Sequence, residues 1–313
     1  MDFEDVRQLV LGLPETADWP AISEILERYA SRPNQAWEWP LRACRAVGGD
    51  ESDVAGGAAA ILCMTLSIRL VDDMLDEDPN GEHLQAGGGA VAANLSFALQ
   101  AAAFRILSNT PMDPERRAAV MDSLAQAALT LAYGEELDVR NLPGEDNYWK
   151  VTRAKCSSFF GTAMHIGAVL ANADPETAEQ LRHLGAIAGD AIQVHDDLQD
   201  AMEIPANPDW KHGRNNLLFL YALTADHPDR ERFKELRSQV DDPAALRTAQ
   251  QILIRCGAVS YAMYQLSQCY SAIRKIIEET PFADPEPLKS MTIQSALTSK
   301  VLKDYLPLME NLG

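Results

Sequence analysis

The sequence predicts an all-α fold in one domain spanning residues 1–313, and three observations carry that prediction. Apolar residues recur at helical spacing over long stretches, and Ala, Leu, Gln and Glu dominate those stretches. Alternating β-branched runs paired across Asn-Gly or Asp-Gly turns are missing. With 47% apolar residues in 313, the chain can bury a large core.

Taken in order, the periodic stretches are residues 53–76, 85–109, 114–140, 147–172, 175–203, 215–226, 243–279 and 285–306. Asp113-Pro114, Asp174-Pro175 and Asp242-Pro243 each put an Asp cap before a Pro at the first helical position. Neither a repeat nor a Pro-rich or Ser-rich linker divides the chain. Val54 to Val71 is apolar enough to suggest a membrane span. It contains Arg69 and a Gly-Gly pair and runs into acidic residues, so a helix buried on nearly all sides is the expectation.

The chain carries 46 acidic and 27 basic residues, a net charge of −19. That balance argues against nucleic acid as a partner, because counterion displacement needs clustered Lys and Arg. The start, MDFEDVRQLV, lacks a basic region followed by an apolar one, so a cytoplasmic protein is expected. Five scattered cysteines without CxxC spacing fit reduced core thiols.

Two aspartate clusters carry the chemistry. Asp72-Asp73-Met74-Leu75-Asp76 ends the first long apolar stretch, and Asp196-Asp197-Leu198-Gln199-Asp200 repeats its spacing after another. Residues four apart on a helix differ by about 40° in azimuth, so the first and last aspartates of each cluster share a face. Facing each other across a bundle, the clusters would hold hard divalent cations. Mg²⁺ suits them, because it takes octahedral oxygen ligands and shares its shell with phosphates. A diphosphate is the natural third party, its departure eased by the bound positive charge. A lone cluster of this kind would read as a solvated helix end, and duplication is what favours a site. A di-iron bundle is excluded, since its Glu-x-x-His pairs are missing.

These residues resemble the trans-isoprenyl diphosphate synthase (polyprenyl synthase) family. Its two aspartate-rich motifs look like Asp72 to Asp76 and the run from Gly189 through Gln193 to Asp200. Lys155 before Cys156 is similar to the family's KT motif, Gly134 with Leu137-Asp138 to its GQxLD, and Gly213-Arg214 before Leu217 to its GK-x-T-L-P. The resemblance covers residues 40–225. It implies a bundle of mostly antiparallel helices around a central cavity, an allylic prenyl diphosphate substrate and a homodimer. It also implies metal ligation by Asp72, Asp76, Asp196 and Asp200, with Asp73, Asp197 and Lys155 completing the catalytic set. Lys155, Arg214, Lys211 and Gln193 would contact the diphosphate.

Two departures stand out. Chain-elongating members bind isopentenyl diphosphate through a GGKxxRP motif and an Arg-Arg pair after the first aspartates. Here those places read Asn34-Gln35-Ala36-Trp37-Glu38-Trp39-Pro40 and Gly81-Glu82. A dianion needs cationic donors, and these residues offer none. Arg32, Arg42 and Arg45 are nearby stand-ins. The departures favour a terpene synthase or cyclase, in which Trp37 and Trp39 would stabilise the cation. A chain-elongating prenyltransferase and a non-catalytic subunit of a heteromeric synthase are the alternatives. By resemblance the residues just before Asp72 floor the prenyl pocket. Ser67 and Ile68 leave room there for a farnesyl or longer chain, unless Phe97 or Met64 closes it.

Overall fold

A helix as apolar as residues 55–71 is stable only when covered on most of its surface, and the fold is arranged around that need. In the computed structural model, which describes residues 1–32 and 35–289, α4 (Ala55–Leu75) is buried continuously from Gly56 to Met64. The helices before it are α1 (Phe3–Leu11), α2 (Pro20–Ala30) and α3 (Glu38–Ala46). The helices that follow are α5 (Glu82–Gln85), α6 (Gly89–Asn109), α7 (Pro114–Arg140), α8 (Glu145–Thr152), α9 (Ser158–Leu170) and α10 (Pro175–Met202). The chain continues through α11 (Pro208–His212), α12 (Leu217–Thr224), α13 (Arg230–Arg237), α14 (Pro243–Arg255) and α15 (Ala258–Glu279). No strand occurs among the described residues, so the all-α expectation holds.

α4 packs on α6, and α10 packs on α9 and α15. One core cluster joins α1, α2, α4 and α6 around Ile22, Leu62 and Leu99; a second gathers α10 to α15 around Trp210, Phe219 and Phe233. Each fully buried Leu or Phe contributes about 1.5–3 kcal/mol. All three expected caps form: Asp113, Asp174 and Asp242 accept hydrogen bonds from the backbone N–H of Arg116, Thr177 and Ala244, each at 2.9 Å.

Several boundaries differ from the sequence expectation. The stretch 243–279 is two helices, because Gly257 adopts φ +92° and breaks the ladder between α14 and α15. The stretch 147–172 is α8 and α9 joined by a π turn, Arg153–Ser157, where one extra residue per turn shifts the side chains. The first fifty residues, unassigned from sequence, hold three short helices. On α2 the apolar set is Ile22, Ile25, Leu26 and Tyr29, too brief a period to stand out. Most of the expected last helix, like Asn34, lies outside the described residues.

One described helix, α6, is long and apolar enough by length and composition to cross a membrane. Val54 to Val71 forms part of the buried α4, as expected.

The π turn lies against α10 at Gly189. A Cβ there would stand 2.6 Å from the carbonyl oxygen of Cys156, so only glycine permits the approach. Gly189→Val should therefore cost about 1–3 kcal/mol, the usual penalty of overpacking. Denaturant unfolding checks this, and an unchanged midpoint would show that the two segments are not in close contact.

Candidate active site

The last turn of α4 and the C-terminal part of α10 deliver their aspartates into one cavity of about 420 Å³. Asp72, Asp76, Asp196 and Asp200 all line it, with Lys155, Gln193 and Arg214. The paired clusters read from the sequence are thus brought together, as are three of the four residues expected at a diphosphate.

The two clusters share a division of labour. In each, the second aspartate turns from its neighbours to hold a returning chain segment. Asp73 accepts the backbone N–H of Glu82 at 2.6 Å, and Asp197 accepts that of Leu217 at 2.7 Å. Gln193 adds a 3.0 Å hydrogen bond to Asp197. Asp73 and Asp197 are therefore anchors within the site, while the first and last aspartates of each cluster keep oxygens available to a cation.

Crowded carboxylates strain one another. Burial, then Asp72, lifts the Asp76 carboxyl to about 6 against the pull of Arg214 and Lys155. Burial alone lifts Asp196 to about 6, although its side chain is exposed to the cavity. The exposure is to a concave wall, which admits water while displacing bulk solvent. Burial, then Asp209 and Asp196, raises Asp200 to about 8.

Two cations answer this repulsion. The Lys155 ammonium lies 2.7 Å from Asp72, 2.6 Å from Asp138 and 3.0 Å from Glu135. Burial opposes its charge, but those carboxylates more than offset it and hold the ammonium well above the ordinary lysine range. Arg214 lies 2.6 Å from Asp76. Asp72, Glu135 and Asp138 bring oxygens within 4.8 Å of one another, but Lys155 already fills their centre. The fit to a metal rests instead on hard oxygen donors from both clusters, which suit Mg²⁺.

Other expected residues lie elsewhere. Lys211 pairs with Asp241 on the outside rather than with the diphosphate site, because α11 turns it outward. Trp37 packs with Phe3 in the core and donates its indole N–H to Gln35, so its ring does not face the cavity. Trp39 packs at a tilt against Phe160, ring centroids 4.3 Å apart, and Phe160 does line the cavity, so Trp39 acts at one remove. Ser67 turns to α6, where its hydroxyl meets that of Ser96 at 2.9 Å. Ile68 lines the cavity's apolar end with Leu131, Phe159 and Phe160. Counting back from Asp72 could not find the two phenylalanines on α9. Phe97 is 75% exposed, and Met64 is buried in the core.

Sequence reasoning also missed Glu135, Asp209 and Arg69 as lining residues. For Glu135 a signal existed, since it stands between Gly134 and Leu137-Asp138.

Comparison with known proteins agrees with this geometry. The family model described as Polyprenyl synthetase matches residues 41–253. The chain belongs to the polyprenyl synthetase family. It is 31% identical over 241 residues to the short chain isoprenyl diphosphate synthase of Methanothermobacter thermautotrophicus, covering 71% of this chain and 72% of that protein. It is 26% identical over 257 residues to a geranylgeranyl pyrophosphate synthase of Geoglobus acetivorans, covering 77% and 79%. The fold matches the crystal structure of geranylgeranyl pyrophosphate synthetase from Pyrococcus horikoshii with a TM-score of 0.82 at 19% identity, covering 95% and 94% of the two chains. A polyprenyl synthase from Caulobacter crescentus, solved with calcium and isoprenyl diphosphate, gives 0.79 at 23% identity, covering 93% and 92%. This polyprenyl synthetase is thus an enzyme, a class I isoprenoid synthase.

Folding raises the Asp200 carboxyl from an ordinary 3.8 to about 8, so the folded protein keeps a proton the unfolded chain has released. Its contribution to stability is present at low pH and is lost as pH rises between those values. Asp200→Asn should raise the metal-free melting temperature, and more so near the upper of those values than near the lower. An equal shift at both ends would show that its surroundings do not strain this carboxyl.

Proposed function

We propose that this protein is a Mg²⁺-dependent, chain-elongating trans-prenyltransferase that works as a single all-α domain. It would ionise an allylic prenyl diphosphate, farnesyl or longer, and join the cation to isopentenyl diphosphate. The observation that carries the reading is the meeting of both aspartate clusters with Lys155 and Arg214 in one cavity that ends in apolar side chains. The cyclase reading drawn from the missing basic motifs is the weaker one, since the relatives are named as isoprenyl diphosphate synthases. With the tryptophans directed to the core and to Phe160, that reading also loses its cation-facing residues.

Asp72, Asp76, Asp196 and Asp200 would hold Mg²⁺, which when bound with the diphosphate supplies positive charge to the leaving group. Lys155 and Arg214 would exchange their aspartates for diphosphate oxygens, adding charge-assisted hydrogen bonds as the carbon–oxygen bond breaks. The allylic chain would lie along Ile68, Leu131, Phe159 and Phe160. The Phe160 ring face suits a nearby cation. The acceptor's double bond would then attack the cation, and the proton lost from the adjacent carbon would pass to the released diphosphate, restoring an alkene.

A homodimer is part of the proposal. Copies carrying −19 each repel, so their contact needs an uncharged face. α6 carries no charged residue from Gly89 to Phe104 and exposes Phe97, and α7, which packs on it, exposes Leu129 and Tyr133. Phe97→Glu with Leu129→Glu should convert a dimer to monomers in analytical ultracentrifugation, and a dimer that survives places the contact elsewhere.

Asp72→Ala and Asp196→Ala should each lower turnover by roughly two to four orders of magnitude, because the lost charge stabilisation is made mainly in the transition state. Product analysis with farnesyl diphosphate, Mg²⁺ and isopentenyl diphosphate tests the reaction itself. A lengthened diphosphate that forms only with isopentenyl diphosphate present is expected. A hydrocarbon or alcohol made equally well without it would restore the cyclase reading.

A further inference from the structure

The chain that presents Arg214 is clasped from the end of α7. Both α7 and α11 finish on a left-handed residue, Asn141 with φ +46° and Gly213 with φ +67°. Glycine takes that conformation freely, and asparagine is among the few residues with a side chain that tolerate it. Asn141 puts that side chain to use. Its Nδ2 donates to the Gly213 carbonyl at 3.0 Å, and its Oδ1 accepts the backbone N–H of Asn215 at 3.1 Å. A single side chain thus bonds the peptide group on each side of Arg214. Asn215 returns the contact, its Nδ2 donating to the Leu142 carbonyl at 2.8 Å. Both asparagines line the cavity.

The far end of this segment is held by the other wall. Asn216, only 1% exposed, donates its Nδ2 to the Asp197 carbonyl at 2.8 Å. Arg214 therefore sits on a short span fixed to α7 at one end and to α10 at the other. Its guanidinium reaches Asp76 at 2.6 Å, with Asp138 at 4.0 Å. Asp138 also supports the clasp, since its carbonyl accepts the Asn141 N–H at 2.8 Å.

Ending a helix needs only the backbone of a left-handed residue. The two side-chain bonds of Asn141, to residues 72 and 74 positions away, are not accounted for by that task. The residue type fits the task they do perform, because an amide supplies a donor and an acceptor together, whereas a carboxylate supplies acceptors alone. A loose loop would have to be ordered before Arg214 could grip an anion, and the entropy lost would weaken binding. Bonding both flanking peptides in advance removes that loss.

We propose that Asn141 is a positioning residue for diphosphate binding, holding the backbone of Arg214 where its guanidinium can pass from Asp76 to the diphosphate. The proposal rests on the reading that gives Arg214 the diphosphate, and it does not depend on what the allylic cation then does.

Isothermal titration calorimetry with Mg²⁺ and inorganic pyrophosphate tests it through a double-mutant cycle. Asn141→Gly keeps the left-handed backbone at no steric cost and removes only the side chain. It should weaken pyrophosphate binding by roughly three- to tenfold, the scale of one modest hydrogen bond. On an Arg214→Ala background the same substitution should change binding by less than about twofold, because the group it positions is gone. A merely structural role would give equal losses in both backgrounds. That result, or no loss in either, would overturn the proposal while leaving Arg214 its diphosphate. If the wild type does not bind pyrophosphate, or Arg214→Ala binds it as tightly as the wild type, the reading of Arg214 fails and the proposal with it. Hydrogen exchange of the ligand-free protein checks the clasp alone: the Asn215 amide should exchange roughly tenfold faster in Asn141→Gly. An unchanged rate would overturn the proposal whatever the ligand does.

Discussion

Carboxylates gathered around a low-dielectric cavity repel one another, and most of the site follows from how that repulsion is balanced. Two like unit charges 4 Å apart cost about 4 kcal/mol at an effective dielectric constant near 20. The protein lowers the cost with its own cations: Lys155 sits among Asp72, Glu135 and Asp138, and Arg214 sits on Asp76. Asp200, which gains no such cation, shows the residue of strain in its raised carboxyl. The site is thus arranged to accept positive charge, and the groups that would grip a diphosphate are the ones holding the aspartates apart beforehand.

The second aspartate of each cluster explains how such a site stays in register. Asp73 and Asp197 each spend an oxygen on a backbone N–H from a later element, α5 in one case and α12 in the other. These bonds fix the ends of α4 and α10 against the chain that returns from them. The same device recurs in both halves, so the DDxxD spacing encodes two tasks: outer positions for the cavity, an inner one for the scaffold. On the α5 side the anchor also carries Glu82 and, through it, Arg28 and Arg32. Scaffold and charge placement are therefore coupled there.

Much of this was legible in the sequence. The period of apolar residues located α4, α7 and α10, and the Asp-Pro pairs marked three helix starts whose caps form as expected. The repeated aspartate spacing located both walls, because residues four apart must share a helical face. The illegible parts depend on packing between segments remote in sequence. The π turn that presents Lys155 follows from the close approach of Gly189 to Cys156, which no local period records. Phe159 and Phe160 enter the cavity from α9, so residues counted back from Asp72 could not reveal them. Trp37, Trp39 and Lys211 were judged by chemistry alone, and the helices carrying them point those side chains into the core, onto Phe160 and outward. Glu82 looked like the loss of a cation, yet its burial gathers two arginines that sequence comparison had no reason to place together.

The Lys155–Asp72 and Arg214–Asp76 pairs are, on this reading, the resting state of a site built for metal and diphosphate. A crystal structure of the protein grown with Mg²⁺ and inorganic pyrophosphate tests that claim most directly. Metal ions should lie between Asp72 and Asp76 on α4 and Asp196 and Asp200 on α10, with Lys155 Nζ and the Arg214 guanidinium moved onto diphosphate oxygens. Pyrophosphate and metal bound elsewhere, with both ion pairs intact, would contradict it.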